Sequence, residues 1–338
     1  MPFPRLTLRY RDFLIALAIL LLAFGLRTVV LSDRAHNDPQ FLPLPTGSDQ
    51  HTYVTSAEAY EAGTFPNAPF RYQPGFIYFL VGVRKLVGTN LIVDRLALVL
   101  TDSLACGLMI GVGWLLTKRR WGGFLTGLLY AFYPVAIFYS TEFLLEGLAL
   151  FYVCLFLFLT LWQRERRSLV RSALIGVVLG LTTITRSNLA LLLIAWLLWL
   201  WLIEPQRRQM IAHGAISLIA LALMIAPVTL WNIKAGSVQL VTNVGVDEIY
   251  RADSRDSDGT YLNPYNAHLT VDQGYAQALI DDLKHDPLHF VAIQVRKLGL
   301  YWSNAEPANN IDYYQDGIEV SALLRAIPLD FRILAALG

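Results

Sequence analysis

The sequence predicts an all-α polytopic membrane protein, and three observations carry that prediction. Of its 338 residues, 55% are hydrophobic and only 16% are charged, against about 25% charged in an ordinary soluble domain. Several apolar runs reach or approach the ~20 residues that one helix needs to cross a bilayer core. Basic clusters separate those runs at intervals, the pattern of loops retained on the cytoplasmic side. The net charge of +1 does not point to nucleic acid. Cys106 and Cys154 both lie inside apolar runs, where a thiol acts as a small buried hydrophobe rather than a disulfide or metal ligand.

The chain opens with the basic MPFPRLTLRYRD and passes into FLIALAILLLAFGLRTVVL. That run exceeds the ~7–15 residues of a signal-peptide core and no A-x-A-like site follows it, so it reads as an uncleaved first span. Spans are expected at Phe13–Leu31, Leu96–Thr117, Gly122–Tyr139, Phe143–Trp162, Ser172–Thr185, Leu189–Ile203 and Ile211–Leu230, about seven in all. TKRRW, QRERRSLVR and EPQRRQ fall between them and, with Arg5, Arg9 and Arg11, occupy one side. The positive-inside rule makes that side, and the N-terminus, cytoplasmic. The interiors of the spans read as almost free of charge.

The segment Ser32–Asp94, the turn Ser140–Glu142, the turn TRSN and the stretch after Trp231 then share the outer face. PGFIYFLVGVRKLVG, Pro74 to Gly88, must not cross. It is short and interrupted by Arg84 and Lys85, and reads as an interfacial or re-entrant helix. GLMIG (Gly107, Gly111) and GVVLG (Gly176, Gly180) have the small-xxx-small spacing that lets helices pack closely. Three parts are expected: a membrane core over 1–230 containing the outer loop 32–94, a polar outer segment with amphipathic helices over 231–327, and the start of a further span in 328–338, where the chain looks cut off.

The stretch PTGSDQHTYVTSAEAYEAGTF, Pro45 to Phe65, is polar yet follows directly on the first span. Ser48 and Asp49 stand where a helix begins and Gly63 where it stops. Tyr53, Ala57 and Tyr60 share a narrow apolar face. Asp49 in the first turn is held as a carboxylate by the helix dipole. It serves either as a capping acid on a surface helix or as a fixed general base at the membrane surface. Four features converge on the same face. FRYQPGF brings Arg71, Tyr72 and Gln73 to the start of the next helix, and STEFLLEG brings Glu142, with Glu146 one turn further in. TITRSN brings Arg186 and Asn188, and VRKLGLYW brings Arg296 and Lys297. Singly, the cations read equally well as snorkelling side chains and Glu142 as a helix-start acid. Together, carboxylates and cations at the outer helix ends fit group transfer from a lipid phosphate, which needs a base and arginine or lysine for the leaving group.

The order of basic N-terminus, one span, a loop with SDQHTY, then RYQPGFIYFLVGVRKLVG, YPVAIFYSTEFLLEG and GLTTITRSN resembles the C-type membrane glycosyltransferases. The likeness is to the protein O-mannosyltransferase and lipid A aminoarabinose transferase superfamily, and runs from about Arg5 to Asn310, through WNIKAGSVQLVTNVG and HDPLHFVAIQVRKLGLYWSNAEPANN. The resemblance implies inverting transfer of a sugar from a polyprenyl-phosphate donor to an acceptor hydroxyl (protein, lipid or glycan), outside the cytoplasmic membrane. It implies that Asp49 is the catalytic aspartate, with Gln50 where the family often has glutamate. Arg71 and Arg186, with Lys297, would hold the lipid phosphate. Tyr53, Tyr72, Gln73, Glu142 and Asn188 would shape the sugar and acceptor pockets. No cofactor is implied. Oligosaccharyltransferases of the same fold use a metal, which keeps Asp49 with Glu142 as metal ligands an alternative. A lipid-linked-sugar flippase and a non-catalytic scaffold of a polysaccharide assembly are the rival readings, and the loop Val241–Asn266 is the expected determinant of acceptor choice.

Overall fold

A computed structural model describes residues 10–165, 167–204, 206–242, 244–260, 274–302, 311 and 313–327. Among these the chain is helical, without a strand. Arg5, Arg9, the expected terminal span in 328–338, the stretch 303–310 and the loop residues 261–266 lie outside the described residues. Four helices are long and apolar enough to cross a bilayer: α1 (Tyr10–Asn37), α4 (Leu91–Thr117), α7 (Leu145–Glu165) and α10 (Arg207–Lys234). Between them come α2 (Asp49–Glu61), α3 (Pro74–Val87), α5 (Arg120–Ala131), α6 (Pro134–Tyr139), α8 (Leu169–Thr185) and α9 (Leu192–Ile203). α4 packs on α1, α5 and α7, and α8 packs on α7 and α10.

Glycines set the closest of these approaches, as their spacing predicts. A methyl on Gly180 would lie 2.5 Å from Met224 Cβ and 3.1 Å from Leu221 O, and one on Gly176 would strike the Ser217 carbonyl. The GVVLG face of α8 is therefore its seam with α10. In GLMIG the two glycines serve different neighbours: Gly107 faces Leu20 of α1, and Gly111 faces the Phe158 ring of α7.

Two expectations about the spans are corrected. The run Gly122–Tyr139 is not one helix, because α5 ends at Ala131 and α6 begins at Pro134. Proline has no N–H and disfavours the helical conformation of the residue before it, here Tyr133 at φ −75°, ψ 105°. The interiors are not almost free of charge either. Arg27 of α1 pairs with Asp102 of α4, both within 1% of fully buried. Tyr130 of α5 donates to the other oxygen of Asp102 at 2.6 Å. Two charges and a phenol that would each be costly in hydrocarbon are instead closed on one another, and they pin three helices together.

The bundle has two chemically distinct ends. At one, Lys118 pairs with Glu165, Arg120 with Asp12 at 2.9 Å and Arg167 with Glu204 at 2.9 Å; this is the end of the basic clusters. At the other lie α2, α3 and the C-terminal ends of α1, α8 and α10. There Arg34 pairs with Asp38 and Glu142, and Arg95 lies 3.7 Å from Glu142. Residues 313–326 return onto this end of α1, with Asn37 Nδ2 donating to Val320 O at 3.0 Å and Ser321 Oγ to Asp33 at 2.6 Å. Beyond α10, α11 (Val244–Asp253), α12 (Tyr275–His285) and α13 (Pro287–Tyr301) pack on one another. Leu288, Val291, Val295 and Leu298 form an exposed apolar stripe along α13, the amphipathic character expected for this segment.

Candidate functional site

Two short helices lie side by side over the bundle end. Ser48 caps α2 by accepting from His51 N at 3.2 Å, and the chain turns out of α2 at Gly63, φ +69°, where the absence of a Cβ admits the left-handed conformation. α3 opens on Pro74, whose missing N–H is no loss at a first helical position. Tyr53, in the second turn of α2, donates to Gln73 at the start of α3 at 2.8 Å. At the far ends, Arg84 of α3 lies 3.5 Å from Glu61 of α2. The two helices therefore run parallel, with their N-termini together, and two helix N-termini side by side favour an anion.

A parallel pair requires the connection 62–73 to travel back along both helices, and α10 holds it there. Asn232 is fully buried; its Oδ1 accepts from Phe70 N at 2.9 Å and its Nδ2 donates to Val241 O at 2.9 Å. Trp231 Nε1 donates to Ala68 O at 3.0 Å. Phe65, Phe70 and Trp231 gather around this clamp. Arg84, which interrupts the apolar run of α3, is a buried clasp, bonded to Asp94 of α4 at 2.8 Å as well as facing Glu61.

Asp49 is half-buried at the first turn of α2 and hydrogen-bonds to Tyr72. Desolvation raises its carboxyl above the usual range, while the Tyr72 bond acts in the opposite direction. Burial, then the negative field of Asp49, raises the Tyr72 phenol, and Thr52 also bonds it. Tyr53 is raised further by its deeper burial; Asp49 and Glu146 add to the shift and Arg186 opposes it. Its ring stands edge-on to Tyr72 at 5.5 Å and to Phe76 at 5.0 Å. Asp49, Tyr53, Tyr72 and Gln73 thus form one connected group, with Arg186 and Glu146 within electrostatic reach.

Arg186 follows the last turn of α8, and its Nη1 bonds Glu146 Oε1 of α7 at 2.8 Å, both side chains about 40% exposed. Arg71 is exposed beside Tyr72 and lowers its pKa. Asn188 is exposed in the 3₁₀ turn Ser187–Leu191 that follows Arg186. Two candidates are engaged by other partners. Lys297 of α13 is held at 2.6 Å by Asp253 of α11, a bond within the α11–α13 group. Glu142 is fully buried between Arg34 and Arg95, and a carboxylate enclosed by two guanidiniums does not fit a cation ligand. The acid that meets Arg186 is Glu146. Sequence spacing gives no sign of this, because α7 begins only at Leu145 and leaves Glu142 in the preceding turn. Gln50, beside Asp49, is buried and accepts from Phe143 N at 3.1 Å, tying α2 to that same turn. Among the described residues there is no cluster of three or more His, Cys, Asp or Glu side chains that could hold a metal ion.

Residues 69–231 match the model of the dolichyl-phosphate-mannose-protein mannosyltransferase family. No curated protein matches the chain. The matched segment contains Arg71, Tyr72, Gln73, Glu146 and Arg186, and begins after Asp49 and Tyr53. The match covers just under half of the chain, and over it this multi-pass helical chain is similar to the protein-mannosyltransferase-like membrane glycosyltransferases.

Proposed function

We propose that the protein transfers a sugar from a polyprenyl-phosphate donor to an acceptor hydroxyl, with inversion. The observation that supports this most directly is the convergence at one bundle end of a half-buried carboxylate, two parallel helix N-termini and the cations Arg71 and Arg186. Asp49 takes the acceptor's proton as the hydroxyl oxygen forms a bond to the anomeric carbon. The bond from that carbon to the phosphate oxygen breaks, and its electron pair leaves with polyprenyl phosphate. A carboxyl raised by desolvation is a better proton acceptor than an ordinary one. Arg186, Arg71 and the two helix N-termini stabilise the negative charge on the departing phosphate. Tyr53, Tyr72, Gln73 and Asn188 border the space where sugar and acceptor meet.

The basic end of the bundle then faces the cytoplasm and the site faces outward across the cytoplasmic membrane, where a lipid-carried donor enters sideways from the bilayer. The transporter reading draws on the Arg27–Asp102 pair, since ionisable groups inside spans often mark a transport route. Both oxygens of Asp102 are committed to Arg27 and Tyr130, which fits a packing role better.

The test is sugar transfer by the purified protein in detergent, given a panel of short-chain polyprenyl-phosphate sugars, with wild type, Asp49→Asn and added EDTA. Release of polyprenyl phosphate by the wild type alone, insensitive to EDTA, is the expected result. Equal turnover by Asp49→Asn would remove Asp49 as the base. Lipid-linked sugar moved across vesicles without glycoside formation would favour the transporter.

A further inference from the structure

We infer that Glu146 is a built-in competitor for the donor's phosphate at Arg186, keeping the empty site neutral and weakening its hold on the released lipid phosphate. The inference rests on the transfer reaction proposed above and concerns how that same site is regulated.

Three features of the pair carry it. The contact is monodentate: Arg186 uses Nη1 alone, at 2.8 Å, toward Glu146 Oε1. A guanidinium has five N–H donors in a rigid fork suited to two-pronged binding of an oxyanion, so most of its donors are left for another oxyanion. The pair is also accessible, with the two side chains 40% and 37% exposed. Ion pairs of that exposure are cheap to exchange, in contrast to Glu142, which is sealed between Arg34 and Arg95. Lastly, the pair stands where the phosphate should arrive. Arg186 and Glu146 both act on the Tyr53 phenol, as Asp49 does, and Tyr53 bonds Gln73 at the head of α3.

The charges give this competition a direction. The donor is a phosphodiester with one negative charge. The product is a phosphomonoester carrying about −1.5 to −2 at neutral pH. A site of unopposed cations would bind the product more tightly than the donor and would be slow to clear. A carboxylate already bonded to Arg186 penalises the more highly charged ligand more, which favours release after transfer.

The experiment uses the full chain in detergent and measures farnesyl phosphate binding by wild type, Glu146→Gln, Glu146→Asp and Arg186→Gln, with thermal melting of each variant as a folding control. Glu146→Gln should bind farnesyl phosphate about three- to fivefold more tightly, the scale of a half-exposed ion pair. Glu146→Asp, which keeps the charge, should stay near wild type. The gain should vanish in the double variant Glu146→Gln/Arg186→Gln. In turnover, Glu146→Gln should show stronger product inhibition and a lower kcat. Unchanged or weaker binding by a folded Glu146→Gln overturns the inference and leaves the transfer reaction standing. Wild type that binds no farnesyl phosphate overturns both.

Discussion

Gly75, at the start of α3, lies against Thr185, at the end of α8, so closely that a methyl group on it would sit 2.5 Å from Thr185 Oγ1 and 2.8 Å from the Thr185 backbone nitrogen. Thr185 precedes Arg186, and Gly75 follows Gln73 and Pro74. The contact therefore sets the distance between the head of α3, with Tyr72 and Gln73, and the arginine proposed to receive the phosphate. Gly75→Ala should force the two helix ends apart. Overpacking of this kind costs about 1–3 kcal/mol, and a displaced site should lose activity by about a hundredfold. Melting temperature and transfer rate on the same preparation check both. A variant that melts lower but transfers normally would show that the contact serves stability alone.

Asp49 ties function to a stability cost. Its carboxyl is raised in the folded chain, so the folded state holds that proton more tightly than the unfolded state. Stability therefore falls as pH rises from the ordinary carboxylate range to the raised native value, and the deficit remains above it. Asp49→Asn should melt no lower than wild type at pH 7, while transfer falls by about 10²–10⁴-fold, the usual worth of a general base.

The acid limb of the pH profile reports the same carboxylate. Transfer should fail as pH drops through the raised value for Asp49, above the range of a free aspartate. Tyr72→Phe removes the hydrogen bond that opposes the shift and should move that limb to still higher pH. The profile of kcat/KM against pH is the measurement, and a limb that moves down would contradict the assignment.

Glu142 and Glu146 should behave as opposites despite their proximity in sequence. Glu142→Gln leaves Arg34 and Arg95 buried with less compensation, a loss of about 3–5 kcal/mol by analogy with broken buried pairs. Glu146→Gln breaks a half-exposed pair and should cost under about 1 kcal/mol. Chemical denaturation of the two variants distinguishes them.

Asn232 is remote in sequence from the site residues it helps to place. Asn232→Ala removes the acceptor for Phe70 N and the donor to Val241 O, leaving buried polar groups unpaired at about 1–3 kcal/mol. It should also loosen the loop carrying Arg71 and Tyr72, seen as faster amide exchange over residues 66–73 and reduced transfer.

Much of the scaffold was determined by the sequence itself, because its causes are local or periodic. Apolar runs near bilayer length specify α1, α4, α7 and α10. Ser48, Asp49 and Gly63 bound α2, Pro74 starts α3, and the GVVLG spacing marks the α8–α10 seam. Each of these rests on capping, backbone freedom or helical period, which neighbours in sequence suffice to set. The tertiary structure alone decided what depends on groups far apart in the chain. It made α2 and α3 parallel through the Asn232 clamp, closed Arg27 on Asp102 across two helices, and enclosed Glu142 between Arg34 and Arg95. It paired Lys297 with Asp253, and brought Glu146, not Glu142, to Arg186. A charged residue's sequence neighbours do not say which distant charge will desolvate it or pair with it, and that pairing separates a buried clasp from a group open to a ligand.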